Sequence, residues 1–229
     1  MTPTASSLRI AIDGAADVSA LLLTPPAPSA AYVFAHGAGA GMTHAFMADM
    51  SAALADRAIA TLRFQFPSME RGSKRPDPPA VAHAAVRAAV AEAQRLLAGL
   101  PLVAGGKSFG GRMTSQAQAA QPLPGVCGLV FVGFPLHPAD KPGTERAAHL
   151  KGVALPMLFL QGTRDALADL PLLRGALEPL GKRATLRIFD DADHSFHVRA
   201  GSGTNDRAVL EALADTVAGW VGGVAAAPG

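Results

Sequence analysis

The stretch "PLVAGGKSFGGR", residues 101–112, fits two different kinds of functional site. A short apolar run meets two glycines and a Lys-Ser pair, and two more glycines and an arginine follow. Such a segment could either wrap its backbone around a phosphate group or present a nucleophilic serine on a sharp turn. The two interpretations predict different proteins, so the residues around the segment have to separate them.

A phosphate-binding loop is disfavoured by the spacing of the glycines. The pattern G-x-x-x-x-G-K-[ST] could end at Gly106, Lys107 and Ser108, but its first glycine would then stand at position 101, which is Pro101. The loop would also consume the residues "LVA", which are the only material for the strand that must precede it.

The nucleophile interpretation fits the same residues better. Gly106 to Gly110 form the pattern G-x-S-x-G, in which Ser108 occupies a strained turn between a strand and a helix. An apolar strand precedes the pattern and a helix rich in Ala and Gln follows it, so the helix N-terminus would point its amides at a developing oxyanion. If the pattern were accidental, Ser108 would be an ordinary helix N-cap.

The order of apolar runs predicts an α/β fold with a mostly parallel sheet of about eight strands flanked by helices. The predicted strands span residues 7–12, 19–24, 30–37, 60–66, 102–106, 128–135, 157–162 and 185–190. The predicted helices span residues 45–58, 80–98, 109–120, 170–180 and 206–221. The first two strands are joined by a short polar segment around Asp13, which predicts an antiparallel hairpin at one edge of the sheet.

The composition limits the classes of function. A length of 229 residues fits one domain, 1–229, with a core at about 8–222. The net charge is +2 and the only basic cluster lies at residues 70–75, so we expect no nucleic-acid partner. No apolar run is long enough to span a membrane and no export signal is visible, so a cytoplasmic protein without membrane association is expected. The single cysteine, Cys127, lies in a predicted strand and is interpreted as a core residue.

A serine nucleophile needs a base, and the base needs an acid that orients it. Asp165 follows the predicted strand 157–162, and His194 follows the predicted strand 185–190. Both therefore lie at carboxyl ends of strands, and the order Ser, Asp, His is the order of the doubly wound hydrolases. We expect Ser108, Asp165 and His194 to meet at one edge of the sheet.

Other polar residues lie near these three and could take their roles. Asp169 would lie about one helical turn beyond Asp165, and Asp190, Asp191 and Asp193 are interpreted as turn-formers close to His194. His197 could join His194 as a metal ligand, but no HExxH motif, Cys cluster or second His pair accompanies it. We therefore expect no metal and no cofactor. His83 and His149 are interpreted as structural histidines.

Two backbone amides are expected to form the oxyanion hole. One belongs to Phe109, directly after the nucleophile, and the other to Ala38 in the glycine-rich loop 36–42, which His36 is expected to brace. The residues predicted to line the substrate cleft are Met42, Phe109, Phe134 and His137. Whether the loop 67–79 closes over this cleft as a lid is left open.

The segments "AHGAGAGM", "GGKSFGGR", "FPLHPADKP", "LFLQGTRD" and "DADHSF" occur in this order, and with them the chain resembles the α/β-hydrolase superfamily. It is most similar to the small dienelactone-hydrolase-related group, which includes bacterial hydrolases of unassigned substrate, a testis-expressed protein and a subunit of a histone acetyltransferase complex. The resemblance covers residues 8–222. It implies Ser108 as nucleophile, Asp165 as acid, His194 as base, and the amides of Ala38 and Phe109 as oxyanion donors.

The resemblance implies hydrolysis of small ester, thioester or lactone substrates and leaves the substrate open. Dienelactone hydrolases carry cysteine where this chain has Ser108, so the lactone itself is not implied. Some relatives serve as interaction modules in larger assemblies, so a catalytically weak or inactive hydrolase-fold module is the alternative function. Only about twenty residues separate the strand ending near Pro135 from that beginning near Met157. A multi-helix cap domain cannot fit there, which predicts an open cleft suited to short acyl chains.

Overall fold

The structure is a computed structural model that describes residues 4–73 and 75–226. It is built on an eight-stranded sheet with the strand order β1-β2-β4-β3-β5-β6-β7-β8. The strands are β1 (Ser6–Ile10), β2 (Val18–Leu23), β3 (Ala30–Ala35), β4 (Ile59–Phe64), β5 (Leu102–Lys107), β6 (Val126–Val132), β7 (Met157–Gly162) and β8 (Ala184–Phe189).

Six α-helices connect or flank these strands. They are α1 (Ala45–Ala55), α2 (Pro67–Glu70), α3 (Pro79–Leu96), α4 (Phe109–Ala120), α5 (Leu170–Leu177) and α6 (Asp206–Ala225). Two short 3₁₀ segments, Glu145–Gly152 and Glu178–Arg183, complete the connections before β7 and β8. Residues 4–73 and 75–226 therefore form the eight strands and the flanking helices that the sequence predicts, and they contain no cap domain.

Strand pairing confirms the predicted mixture of parallel and antiparallel neighbours. β1 pairs antiparallel with β2 at the edge, and β2 pairs antiparallel with β4. The remaining pairs are all parallel, from β4 and β3 through β5 and β6 to β7 and β8. Sequence reasoning did not predict α2, because it is too short to show a helical hydrophobic period. The helix predicted over 170–180 ends at Leu177 and is followed by the second 3₁₀ segment.

The core consists of two layers, one on each face of the sheet. Helices α3, α4 and α5 pack on one face, where β3 contributes Ala31 and Val33, while α1 and α6 pack on the other face against Tyr32 and Phe34. This alternation follows from the period of two in a strand, and a sheet that is buried on both faces is why nearly every residue of β3 to β7 is apolar. The central strands are therefore fixed from both sides.

Helix α6 is the one described helix that is long and apolar enough to cross a membrane by length and composition. Its inner residues Leu213, Val217 and Val221 are at most 2% exposed because they pack against the sheet. The same apolar composition is thus accounted for by a helix that covers one face of the core.

Strand β5 contains two consecutive glycines, Gly105 and Gly106, where its neighbours β3 and β6 have side chains. A Cβ atom added at Gly105 would stand 1.9 Å from the carbonyl oxygen of Val130 in β6. Such a distance is far inside a van der Waals contact, so the centre of the sheet accepts only glycine at this position.

We expect Gly105→Ala to lower the free energy of unfolding by about 3 kcal/mol, since the new methyl group must displace the backbone of β6. The control is Gly175→Ala on the exposed surface of α5, where a Cβ would meet nothing within 4 Å. This control should stabilise the protein by about 0.5–1 kcal/mol, because alanine is the better helix former. Urea denaturation of both variants measures the difference, and equal stabilities would contradict the packing argument.

Candidate active site

Ser108 lies at the junction of β5 and α4, in a backbone conformation that serine rarely adopts. Its φ is 50° and its ψ is −116°, outside the regions that residues with a Cβ normally occupy. Strain of this kind costs on the order of 1–3 kcal/mol and persists only where the surroundings impose it. Here the amide of Ser108 donates to the carbonyl oxygen of Val132 at 3.1 Å, which ties the turn to the end of β6.

The two glycines of the pattern G-x-S-x-G are required by close packing beneath the turn. A Cβ at Gly106 would stand 2.3 Å from the carbonyl oxygen of Ala35, and a Cβ at Gly110 would stand 2.6 Å from the same atom. The end of β3 therefore fills the space under Ser108. The small residues that the sequence pattern requires are explained by this contact.

The hydroxyl of Ser108 is the first member of a chain of hydrogen bonds. His194 Nε2 lies 2.8 Å from Ser108 Oγ, and His194 Nδ1 lies 2.7 Å from Asp165 Oδ2. The Asp165 side chain is fully buried, whereas the His194 side chain is 25% exposed. The structure thus brings together the three residues that the sequence selected as nucleophile, acid and base.

The carboxylate of Asp165 is held on both oxygens. Its Oδ1 accepts a hydrogen bond from the backbone amide of Leu167 at 2.8 Å. Its Oδ2 accepts hydrogen bonds from His194 Nδ1 and from the side-chain amide of Gln161. Gln161 also accepts the backbone amide of Phe134 at 3.0 Å, so this buried glutamine joins the ends of β6 and β7 under the acid. A buried carboxylate needs such donors, because a buried polar group without hydrogen-bond partners is costly.

The loop that carries His194 is held by hydrogen bonds to the side chain of an aspartate, Asp193. Asp193 Oδ1 accepts the amides of Ser195 at 2.8 Å and of His197 at 3.0 Å, as expected for a turn-former. Asp169, the nearest competitor of Asp165, caps α5 by accepting the amide of Leu172 at 2.9 Å. Its carboxylate is therefore engaged elsewhere.

Both amides that the sequence analysis assigned to an oxyanion hole border Ser108. Ala38 lines the cleft beside the serine, and Phe109 is the first residue of α4. Within residues 4–73 and 75–226, neither amide donates to another backbone or side-chain atom.

The glycine-rich loop that carries Ala38 is fixed by three polar side chains beneath it. His36 Nδ1 donates to the carbonyl of Gly37 at 2.7 Å, and its Nε2 accepts the amide of Phe66 at 3.0 Å. Burial lowers the pKa of His36, so the neutral ring that these two bonds require is favoured. The side chain of Gln65 accepts a hydrogen bond from the amide of Met42 at 2.8 Å, and the buried Arg63 donates one to the carbonyl of Met42 at 2.9 Å.

A cleft of about 360 Å³ opens above Ser108. Its walls are mainly apolar, and Lys107 is its only lysine or arginine among the described residues. The lining residues are Gly37, Ala38, Ala40, His44, Phe46, Met47, Lys107, Ser108, Leu167, His194 and Ser195.

The four side chains that were predicted to line the cleft lie behind it. Phe109 is 9% exposed and packs against Phe66. Phe134 is 1% exposed and packs against Phe131 and Phe159 in the core. His137 is 3% exposed and accepts the amide of Asp169 at 2.9 Å, while Met42 is 8% exposed and does not reach the cleft wall. Proximity to a strand end in sequence does not tell whether a side chain points to the cleft or the core, and here it points inward.

The segment 67–79 does not border the cleft in the part of it that is described. The carboxylate of Asp77 accepts the amide of Ser68 at 2.7 Å and the guanidinium of Arg71 at 3.1 Å. Glu70 accepts the amide of Ser19 at 3.0 Å and so attaches α2 to the outer hairpin of the sheet. These bonds hold the segment against the sheet edge rather than over Ser108.

The remaining candidates have structural partners. His197 pairs with Asp206 at 2.8 Å on the surface, and this hydrogen bond raises its pKa. His149 Nε2 lies 2.8 Å from the hydroxyl of Ser115, and burial, together with the neighbouring Arg112 and His83, lowers the pKa of His149 to about 4. No group of three or more His, Cys, Asp or Glu side chains that could hold a metal ion occurs within 4–73 and 75–226.

Sequence reasoning missed three polar residues that support the site, namely Lys107, Gln161 and Gln65. Each stands at the end of a strand whose other residues are mostly apolar. A polar residue at that position was the available signal, because a side chain that would otherwise be buried without a partner needs a specific acceptor or donor.

The same fold occurs in solved structures. A dienelactone hydrolase from Anabaena variabilis is 22% identical, with a TM-score of 0.73, over 96% of this chain and 97% of the other. A member of the a/b serine hydrolases without lid from Xanthomonas campestris is 20% identical, with a TM-score of 0.74, over 98% and 97%. Est1E from Butyrivibrio proteoclasticus, bound to ferulic acid, is 16% identical, with a TM-score of 0.75, over 94% and 99%.

A search of curated protein sequences found no match. The model of the alpha/beta hydrolase domain family, however, matches residues 28–222. This range runs from the segment before β3 into α6, so it includes Ser108, Asp165 and His194 together with the strands that carry them. The chain therefore belongs to the alpha/beta hydrolase domain family.

Proposed function

We propose that this protein is a serine hydrolase that cleaves small ester-type substrates, whether esters, thioesters or lactones, through an acyl-enzyme. The observation that carries the proposal is the continuous chain from Ser108 Oγ to His194 Nε2 at 2.8 Å and from His194 Nδ1 to Asp165 Oδ2 at 2.7 Å. A non-catalytic interaction module would need none of these contacts. Family membership supports a hydrolase in general, and this chain of contacts supports the serine mechanism.

The first half of the reaction forms the acyl-enzyme. His194 Nε2 accepts the hydroxyl proton of Ser108 while Oγ bonds to the carbonyl carbon, whose C=O electron pair moves onto oxygen. Collapse of this intermediate breaks the bond to the leaving group, which takes the proton from His194. Asp165 stabilises the imidazolium by accepting its Nδ1–H.

The second half of the reaction hydrolyses the acyl-enzyme. A water molecule gives a proton to His194 Nε2 and attacks the acyl carbon, and the proton then returns to Ser108 as the acid product leaves. In both halves the negative oxygen would be stabilised by the amides of Ala38 and Phe109. Fixed donors of this kind need no reorganisation when charge develops.

The size of the substrate follows from the walls of the cleft. The connection between β6 and β7 contains only the 3₁₀ segment Glu145–Gly152, so no cap domain covers Ser108. The cleft volume of about 360 Å³ suits a small molecule, and its mainly apolar lining suits a short acyl group. We infer a small-molecule substrate, with no nucleic acid as partner.

Ser108→Ala should reduce kcat by about 10⁶-fold and abolish covalent labelling by a fluorophosphonate, because the labelled atom is removed. The matched control, Ser202→Ala in a loop outside the cleft, should label and turn over normally. Intact-protein mass spectrometry measures the label. Combining Ser108→Ala with His194→Ala should cost little more than either change alone, since the residues act as a unit. Normal turnover by Ser108→Ala would overturn the proposal.

Asp165→Asn should leave the fold intact and lower kcat by about 10⁴-fold, since an asparagine cannot stabilise the imidazolium of His194. Asp169→Asn is the control, because asparagine caps a helix as well as aspartate does and activity should remain normal. Steady-state kinetics on p-nitrophenyl acetate compare the two variants. A larger loss in Asp169→Asn than in Asp165→Asn would reverse the assignment of the acid.

Among p-nitrophenyl esters with acyl chains of two to twelve carbons, kcat/KM should be highest from acetyl to butyryl and should decline by octanoyl. Each methylene contributes about 0.8 kcal/mol only where it is fully buried, and an open cleft buries few of them. A maximum at decanoyl or beyond would show that another segment or a partner closes over the cleft.

A further inference from the structure

Lys107 has no role in the mechanism above, although it directly precedes Ser108 and lines the same cleft. It is the last residue of β5, and its side chain is partly buried. Its ammonium group donates a hydrogen bond to the backbone carbonyl oxygen of His194. The residue before the nucleophile is thus bonded to the residue that would act as base.

The surroundings of the ammonium group are shaped to hold it there. Lys107 Nζ lies 5.9 Å from the ring centre of Phe46 and 5.5 Å from that of Phe196, both within the range of cation–π attraction. A Cβ at Gly133 would stand 3.0 Å from Lys107 Nζ and 3.5 Å from the His194 ring. Two aromatic rings and a glycine therefore leave a space that fits this side chain.

Within the described chain, Lys107 forms no ion pair. Burial lowers the pKa of Lys107 to about 8, and the negative charges of Asp165 and Asp193 partly oppose this shift. A partly buried ammonium is costly unless its donors are used, so a specific acceptor is expected. The carbonyl of His194 is that acceptor.

We propose that Lys107 is a positioning residue, which holds the loop 190–197 through the carbonyl of His194 and so keeps the imidazole within hydrogen-bond reach of Ser108. For its effect on turnover, this inference rests on the proposed serine mechanism. Lys107 touches neither the hydroxyl of Ser108 nor the carboxylate of Asp165, so it would act only through the placement of His194.

The position of the ammonium predicts a decline of activity at alkaline pH. The groups that face it are Asp165 after β7, Asp193 and His194 after β8, and the uncharged ring of Phe46 on α1. Because the pKa of Lys107 is about 8, the ammonium is present below that pH and is replaced by a neutral amine above it. A neutral amine donates a weaker hydrogen bond, so kcat should fall as the pH rises through about 8.

The test compares Lys107→Met, Lys107→Arg and a surface control, Lys182→Met. Lys107→Met should lower kcat by about 100-fold with little change in KM, because misplacing the base affects the transition state more than substrate binding. Its kcat should no longer decline near pH 8. Lys107→Arg keeps a permanent charge, so it should recover part of kcat and also lack the alkaline decline. Lys182→Met should behave as the unchanged protein.

Amide hydrogen exchange provides a measurement that does not depend on turnover. In Lys107→Met, the amides of Ser195 and His197 should exchange at least about tenfold faster, while those of the central strands stay protected. Unchanged exchange in the loop together with unchanged kcat would overturn the positioning role, even if Ser108 is labelled normally. If exchange is faster in Lys107→Met but the wild-type protein is neither labelled by a fluorophosphonate nor active on esters, the serine mechanism is rejected. The positioning role of Lys107 then still stands.

Discussion

The turn at Ser108 is the constraint on which the rest of the site depends. A serine with a φ of 50° is held there because β5 stops against α4 with no room for side chains on the inner side of the bend. The carbonyl of Ala35 occupies the space that a Cβ at Gly106 or Gly110 would need. The end of β3 therefore determines the direction in which the hydroxyl points.

Asp165 and His194 reach this hydroxyl because the sheet places the strands that precede them side by side. β5, β6, β7 and β8 are parallel neighbours, so the loops after them open at the same edge. Gln161 fixes Asp165 from β7, and the bond between Lys107 and the carbonyl of His194 connects the ends of β5 and β8. Side chains at the strand ends thus hold Ser108, Asp165 and His194 in fixed relative positions, as a preorganised site requires.

The cleft above Ser108 is open, and this limits which parts of a bound molecule the protein can contact. The connection between β6 and β7 contains no helix that could cover Ser108 beyond the 3₁₀ segment Glu145–Gly152. The segment 67–79 is attached to β2 through Glu70 and is held together internally by Asp77. Specificity must then come from the cleft walls themselves, which are apolar except for Lys107, Ser108, Ser195 and two histidines. The likeness of the fold to a lidless serine hydrolase agrees with this architecture.

Ser108, Asp165 and His194 could be selected from the sequence and placed at the ends of predicted strands, because a local pattern and the ends of apolar runs are visible without coordinates. The sequence also predicted the parallel sheet and its antiparallel edge. Only the tertiary structure decided which apolar side chains face the cleft, since Met42, Phe134 and His137 turn inward while Phe46, Met47 and Leu167 line the walls. The hydrogen bonds from Gln161 to Asp165 and from Lys107 to the carbonyl of His194 also appear only in the folded chain. The second of them joins residues 87 positions apart, and such a contact leaves no periodic signal in the sequence.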